Sequence, residues 1–444
     1  MYYRKQILVV LSLTALIAVV QCTKICNSEV SEAANEAALK AGGKPEERDL
    51  IVDGKQIFRY DSFGDEEFWS GLLHLDKAIA GSKNGGYGTG VSPKTALSVG
   101  LKVDAEALSP GVVAGIRSGA IDLNDPATTL ALLKLNAVVG VKGNFDDAGK
   151  LKGIGITCAS CHSTVDNSFA PGIGKRLDGW PNRDLNVGAI VSLTDNAQPI
   201  ASMLHVDEPT LRSVLNAWGP GKFAAVLFMD GKAVKPDGTV AANLIPAAFG
   251  LKGVDLVTYT GWGDISYWNA FVGNLEMHGK GTFRDPRLND PVKYPIAVEN
   301  HFYDVENIPD LITSKLPALR AYQHSIAAPK PPAGSFEPGA AGRGKALFLT
   351  KAQCVNCHSG KLLADNSLRS AAEIGIDDFE AKRSPTGKYR TPPLGGLFAR
   401  AKGGFYHDGR FATYLDVINH YNRHFSLGLT AAEKRDLVEY LKSL

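Results

Sequence analysis

The sequence has few cysteines, little net charge and no long apolar run beyond its first residues. Its 444 residues include only six cysteines, too few for the disulfide framework that stabilises small secreted domains. The formal net charge is +2, and no basic stripe with interleaved aromatic residues occurs. Nothing therefore favours binding to nucleic acid or to an acidic membrane surface.

The single apolar run, Ile7 to Val20, follows Arg4 and Lys5 and is short for a membrane-spanning helix. A basic segment before such a run is typical of a signal peptide. We therefore expect residues 1–26 to be a signal peptide or an N-terminal anchor, and the mature chain to be periplasmic or otherwise exported. Lipidation at Cys22 and an uncleaved membrane tether are the alternatives to plain export.

Two short stretches, ITCASCHS at 156–163 and AQCVNCHS at 352–359, each carry a CxxC pair followed directly by histidine. Zinc sites, redox dithiols and covalent haem attachment all use such pairs. Zinc-binding pairs usually lie much closer together in sequence, and a redox dithiol needs no following histidine. The spacing instead lets two cysteines reach the porphyrin vinyl groups while histidine faces the iron. The sequence predicts two c-type haems held by Cys158, Cys161 and His162 and by Cys354, Cys357 and His358.

Helical patterns recur along the chain and strand-like alternation is scarce. The expected fold is mainly α, with two cytochrome c-like haem domains and an irregular N-terminal region. One β-hairpin is predicted around Asp230 and Gly231, and a proline- and glycine-rich linker separates the two motifs. The expected segments are residues 1–26, the leader; 27–150, an N-terminal region of unknown role; 151–330, a first haem domain resembling peroxidases; 331–342, the linker; and 343–444, a second cytochrome c domain.

The second haem domain is predicted to be framed by two helices. An amphipathic helix runs through RGKALFLTKAQ into the second motif. Thr430 and Glu433 form a capping-box pattern at the start of the final helix. The apolar residues of that helix recur at helical spacing on one face: Leu437, Tyr440, Leu441 and Leu444.

The second ligand of each iron decides between an electron carrier and an enzyme. An iron with two protein ligands carries electrons, whereas an iron with an open face binds peroxide or oxygen. None of the four methionines follows the second motif. The donors available there are His407, His420, Tyr421 and His424. Met203, Met277 or His278 on the first iron would favour a plain electron carrier.

Residues 389–421, YRTPPLGGLFARAKGGFYHDGRFATYLDVINHY, resemble the C-terminal motif of bacterial dihaem cytochrome c peroxidases. They equally resemble the related enzyme that oxidises tryptophans to build a quinone cofactor. In that superfamily the second haem's distal ligand lies fourteen residues after the histidine of the HDG turn. It is Met in the peroxidases and Tyr in the quinone-forming relative. Here the position is Tyr421, with its neighbour His420 as a rival ligand and His407 as a third candidate.

Residues 244–279 resemble the family's stretch from a Thr-Pro segment through a Trp-Asp-Gly turn to Glu-Met. The resemblance implies that Trp262 lies between the haems and that Glu276 moves protons at the peroxide-binding haem. The spacing between them is shorter than in the family, and Trp268 is an alternative to Trp262. A carboxyl over an open haem can supply the proton that O–O cleavage needs. The competing interpretations are a solvated helix charge for Glu276 and core packing for the tryptophans.

The expected function is that of an exported dihaem c-type cytochrome acting as an oxidoreductase. It would reduce peroxide, or activate oxygen, at the first haem with electrons relayed by the second. A small redox protein is the expected electron partner. The alternative is a non-catalytic electron-transfer cytochrome with both haems fully ligated. A third class is an oxygenase of organic substrates, since the layout loosely resembles the dihaem rubber oxygenases.

Overall fold

The computed structural model describes residues 45–444. The predicted leader, residues 1–26, and its Cys22 lie outside the described residues. Within 45–444, no helix combines the length and the apolar character needed to cross a membrane. Residues 53–444 form one compact unit, which holds all of the motifs discussed below.

Helices dominate the described residues, as the sequence predicted. The α-helices are Pro45–Tyr60, Leu75–Ala80, Pro93–Ser98, Pro110–Ser118, Pro126–Lys134, Ala159–His162, Val187–Val191, Gln198–Met203, Glu208–Trp218, Leu227–Asp230, Ile265–Phe271, Pro295–Glu299, Leu316–Ser325, Pro338–Leu349, Ala371–Ile374, Phe379–Arg383, Tyr414–His424 and Ala431–Lys442. Two turns are π-helical, namely Glu67–Leu72 and Val272–Glu276. Short 3₁₀ turns are Ser82–Asn84, Ala105–Ala107, Pro286–Leu288, Thr313–Lys315, Cys354–Asn356 and Leu397–Arg400.

The strands are short and pair only in twos among the described residues. The pairs are Val103–Asp104 with Ile173–Gly174, Val141–Phe145 with Leu151–Ile156, Ser163–Val165 with Arg176–Asp178, Lys222–Phe223 with Asn243–Leu244, Thr282–Arg284 with Asp304–Glu306, and Leu368–Arg369 with Tyr389–Arg390. The first pair is parallel and the others are antiparallel. Two-stranded ribbons are marginal alone, so packing of helices and loops must stabilise them.

The β-hairpin predicted around Asp230 and Gly231 is wrong. Leu227–Asp230 is a single helical turn, which Gly231 ends in a left-handed conformation with φ of 72°. All of its residues are buried. A short apolar run that is buried on every side has no period that separates helix from strand, and this explains the error.

The N-terminal region shares its hydrophobic core with the first haem region. Trp69 and Leu133 of this region belong to the same buried cluster as Leu211 and Trp268. The sequence assigned no role to this region, and its packing against residues distant in sequence has no local signal. Its packing places it against the first CxxCH motif.

Residues 343–444 have the predicted helical frame. Helix Pro338–Leu349 crosses helix Ala431–Lys442 at Gly344, where a side-chain Cβ would lie 2.0 Å from the Asp436 carbonyl oxygen. The capping box at Thr430 is confirmed: its hydroxyl accepts from the Glu433 N–H at 3.2 Å and its own N–H donates to the Glu433 carboxylate. The face predicted from the sequence packs into the core, with Leu437 and Tyr440 buried.

Candidate functional site

A single helical turn holds the first CxxCH motif. The His162 N–H donates to the Cys158 carbonyl at 3.2 Å, and the Asn182 N–H donates to the Cys161 carbonyl at 2.8 Å. The side chains of Cys158, Cys161 and His162 line the same cavity. The spacing CxxCH therefore brings the three groups together, as the sequence predicted for this segment.

That cavity has a volume of about 310 Å³ and mainly apolar walls. One wall comes from the N-terminal region, including Phe63, Trp69 and Leu133, and the adjoining strand Leu151–Ile156 adds Ile154 and Ile156. Other parts come from residues 243–276. A largely apolar cavity that presents two thiols and an imidazole fits a covalently attached porphyrin.

Both motif histidines are held in the tautomer that a metal requires. Nδ1 of His162 lies 3.1 Å from the Pro246 carbonyl oxygen, and Nδ1 of His358 lies 2.8 Å from the Leu363 carbonyl oxygen. A carbonyl only accepts, so each Nδ1 carries the proton and each Nε2 keeps its lone pair. Burial lowers the pKa of His162 to about 4, so its ring is neutral at pH 7. This arrangement fits an iron ligand at each motif.

The second motif adopts a 3₁₀ turn, Cys354–Asn356, with the His358 N–H donating to the Cys354 carbonyl at 2.9 Å. Its thiols and those of the first motif form no disulfide. Within residues 45–444, no three His, Cys, Asp or Glu side chains cluster as a metal site. Among these residues the two CxxC pairs are therefore not joined in one tetrahedral zinc site, the interpretation that their separation in sequence disfavoured.

Tyr421 and His420 lie on helix Tyr414–His424 and face different neighbours. Burial raises the pKa of Tyr421 to about 12, and the nearby Cys357 adds to the shift, so the phenol lies close to the second motif. Nε2 of His420 instead lies 2.8 Å from the Ile374 carbonyl oxygen. His407 is buried and stacks on Tyr389 at 5.2 Å between ring centroids. Of the three, the geometry favours Tyr421 as the side chain near the second CxxCH motif.

Glu276 is enclosed in the cavity of the first motif. It ends the π-helical turn Val272–Glu276, and both of its carboxyl oxygens are buried without a hydrogen-bond partner. Burial raises its pKa well above the usual range. Burial also raises the pKa of Cys161 to about 12, with the charge of Glu276 adding to the shift, so the two side chains are close. The position differs from that of a solvated helix charge.

Of the three residues that the sequence offered as alternative ligands at the first motif, only Met277 lines the cavity. Met277 lines the cavity, and its carbonyl accepts from Nε1 of Trp69 at 3.0 Å. His278 stacks on Phe68 at 3.6 Å between ring centroids. Met203 packs against the hydrophobic core. Neither His278 nor Met203 is among the residues that line the cavity.

Trp268 lines the cavity and Trp262 lies behind it, with 5.2 Å between their ring centroids. Both are buried, and the indole N–H of each has no hydrogen-bond partner. Phe271 and Tyr267 complete the aromatic cluster. Core packing is therefore one role of this cluster, and Trp268 is its point of contact with the cavity.

Asp65 is a buried carboxyl that sequence patterns did not single out. Its Oδ2 accepts from the Ile156 N–H at 3.1 Å, and its Oδ1 has no partner. Burial raises its pKa to about 9. The folded chain keeps a proton here that the unfolded chain releases near pH 4. Stability therefore falls as pH rises between these two values.

We expect Asp65→Asn to remove this slope, which amounts to about 1.4 kcal/mol per pH unit for one proton. Urea unfolding of the purified protein from pH 5 to 8 measures it. Asp122→Asn, at an exposed position, is the control and keeps the slope. Parallel pH profiles for the wild type and Asp65→Asn would show that Asp65 is ionised in the folded chain.

The chain is mainly helical, and each of its two CxxCH turns presents a histidine with an unprotonated Nε2. The c-type cytochromes of the dihaem cytochrome c peroxidase superfamily share these features. Relatives of the chain come from that superfamily. Methylamine utilization protein MauG of Methylorubrum extorquens is 29% identical over 220 residues, which cover 41% of this chain and 61% of the relative. Cytochrome-c peroxidase IdrP1 of Denitromonas iodatirespirans is 25% identical over 232 residues, covering 40% and 60%. These relatives confirm the resemblance found in the sequence.

The chain spans about six tenths of the length of these relatives. No protein-family model matches it. Among solved structures, Kuenenia stuttgartiensis hydrazine synthase aligns with a TM-score of 0.31 and 19% identity, covering 48% of this chain and 76% of that one. A MauG-like protein associated with microbial copper homeostasis aligns with a TM-score of 0.30 and 20% identity, covering 48% and 77%. Scores this low do not show a shared overall fold.

Proposed function

We propose that this protein is a dihaem c-type cytochrome that reduces peroxide, or activates oxygen, at a haem on His162. A second haem, on His358, would relay the electrons. The observation that carries the proposal is the buried, unpartnered carboxyl of Glu276 in the cavity lined by His162. A buried group without a hydrogen bond costs about 1–3 kcal/mol. A plain electron carrier has no use for it, whereas proton delivery requires it.

Each motif would hold its haem through two thioether bonds, at Cys158 and Cys161 and at Cys354 and Cys357. When bound, a haem with an open iron face supplies the electrons that split the O–O bond. Hydrogen peroxide consumes two electrons and two protons and gives two water molecules. Glu276 holds a proton at neutral pH because burial raises its pKa, and it donates that proton to the leaving oxygen. The apolar walls keep bulk water away from the carboxyl.

Tyr421 is the group that we propose as the second ligand of the haem on His358. Its phenol lies near the second motif and interacts with the Tyr406 hydroxyl, whereas Nε2 of His420 is engaged by the backbone carbonyl of Ile374, outside the motif. A fully ligated second haem exchanges electrons without binding substrate. A small redox protein would supply those electrons, and we propose export, as expected from residues 1–26.

Electron paramagnetic resonance of the oxidised and the half-reduced protein tests this assignment. We expect a high-spin ferric signal from the first haem in at least one state, and a low-spin signal from the second. Tyr421→Phe should convert the low-spin signal of the second haem to a high-spin signal. The matched variant His420→Gln should leave the low-spin signal unchanged. Two low-spin signals in both states of the wild type would mean that both irons are capped. Met277, which lines the cavity, would then be the first candidate ligand, and electron transfer would replace catalysis.

A further inference from the structure

Three enclosed arginines have no acidic partner among the described residues: Arg183, Arg390 and Arg400. Arg183 is only 8% exposed, and its Nε and Nη1 have no hydrogen-bond partner. Nη1 of Arg390 and Nε of Arg400 are likewise buried and unpartnered. Other enclosed arginines of the chain are paired: Arg383 lies 2.7 Å from Asp230, and Arg176 lies 3.0 Å from Asp104.

The three guanidinium groups influence one another. Burial, together with the charges of Arg390 and Arg183, lowers the pKa of Arg400 to about 10. Burial also lowers the pKa of Arg390 to about 10, again with no carboxylate nearby to oppose the shift. Enclosing like charges without a counter-ion is costly. An anion that is not part of the polypeptide would balance them.

The cluster lies between the two CxxCH motifs. Arg390 lines the cavity of the first motif. Arg183 follows Asn182, whose N–H donates to the Cys161 carbonyl. Arg400 donates to the Pro393 and Gly395 carbonyls at 2.8 Å each.

This segment also adjoins the second motif. Nδ1 of His358 lies 2.8 Å from the Leu363 carbonyl oxygen, and the Pro392 backbone also contacts the His358 ring. Pro392 directly precedes the carbonyl that Arg400 binds. The arginines therefore lie between the two motifs that would hold the haems.

We propose that Arg183, Arg390 and Arg400 bind the propionate carboxylates of the haems and raise the reduction potential of the first haem. This inference rests on the proposed function, since it needs the haems attached at the motifs. Each haem carries two propionates, and guanidinium groups bind carboxylates through paired N–H donors. An enclosed positive charge favours the reduced iron, which has one positive charge fewer.

Potentiometric titration of the purified haem protein tests the proposal. Arg390→Gln and Arg183→Gln should each lower the equilibrium constant for reduction of the first haem about tenfold, equivalent to about 59 mV for one electron. The lysine variants at the same positions keep the charge and should recover most of the potential. Arg343→Gln is the control, because Arg343 is exposed and pairs with Asp436 at 2.8 Å. Arg183→Gln is the safest variant for folding, since it removes no hydrogen bond at Nε or Nη1.

Haem content, measured on the wild type by pyridine haemochrome absorbance, separates the two proposals. A wild type with two haems whose potential is unchanged in both glutamine variants would overturn the propionate inference and leave the proposed function standing. A wild type without haem would overturn both. Added inorganic phosphate, at constant ionic strength, probes a free anion at the cluster. The reduction potential of the wild type would then change with phosphate while that of Arg183→Gln does not. That result would assign the cluster to a free anion and overturn the inference.

Discussion

Glu276→Gln is expected to lower the rate constant for reaction with hydrogen peroxide by about 10²–10⁴-fold. Glutamine keeps the shape of the side chain but has no acidic proton to give. The haem spectra should not change, because neither carboxyl oxygen of Glu276 has a hydrogen-bond partner in the protein. In the wild type, the rate should fall as pH rises through the raised pKa of Glu276, since only the protonated form donates. Stopped-flow absorbance with the half-reduced protein measures both effects.

Glu380→Gln is the matched control, because Glu380 is a buried carboxyl that lines the same cavity. Its Oε1 accepts from Asn243 and its Oε2 lies 3.2 Å from Arg383, so its oxygens are engaged. We expect this variant to keep the peroxide rate and to lose about 1–3 kcal/mol of folding stability. Equal losses of rate in the two variants would mean that cavity packing, rather than the proton of Glu276, controls the reaction.

The features that local chemistry determines could be predicted from the sequence. The CxxCH turns follow from residue spacing, and the final helix follows from its capping box and its apolar face. The helix predicted from Arg343 is present, but it spans Pro338–Leu349 and so begins inside the segment 331–342 that was expected to be a linker. The turn at Leu227–Asp230 could not be predicted, because uniform burial removes the period on which the interpretation depends.

The features that depend on distant contacts could not be predicted. The carbonyl that orients His162 belongs to Pro246, and the one that engages His420 belongs to Ile374. Neither contact has a local sequence signal. The wall that residues 63–156 give to the cavity depends in the same way on tertiary packing. That Arg183 has no partner becomes visible only when the positions of the surrounding carboxylates are known.

The double variant Cys354→Ala, Cys357→Ala is expected to halve the haem content per chain and to abolish sustained peroxide turnover. The second motif would lose both covalent attachments, and each of its cysteines is only partly enclosed. Peroxide consumes two electrons, and a chain with a single haem lacks the group proposed to relay them. Pyridine haemochrome absorbance gives the haem content, and steady-state oxidation of a reduced electron donor gives the turnover.

The matched variant Cys158→Ala, Cys161→Ala should also halve the haem content, with a different loss of function. It removes the haem beside Glu276, so we expect no reaction with peroxide, while the low-spin signal of the second haem persists. The helices that frame the second motif meet through Gly344, Leu437 and Tyr440, none of which touches the first cavity. Because the two motifs have separate packing, the variants should separate substrate reaction from electron supply. Sustained turnover in the Cys354→Ala, Cys357→Ala protein would contradict the relay and place both steps at the first motif.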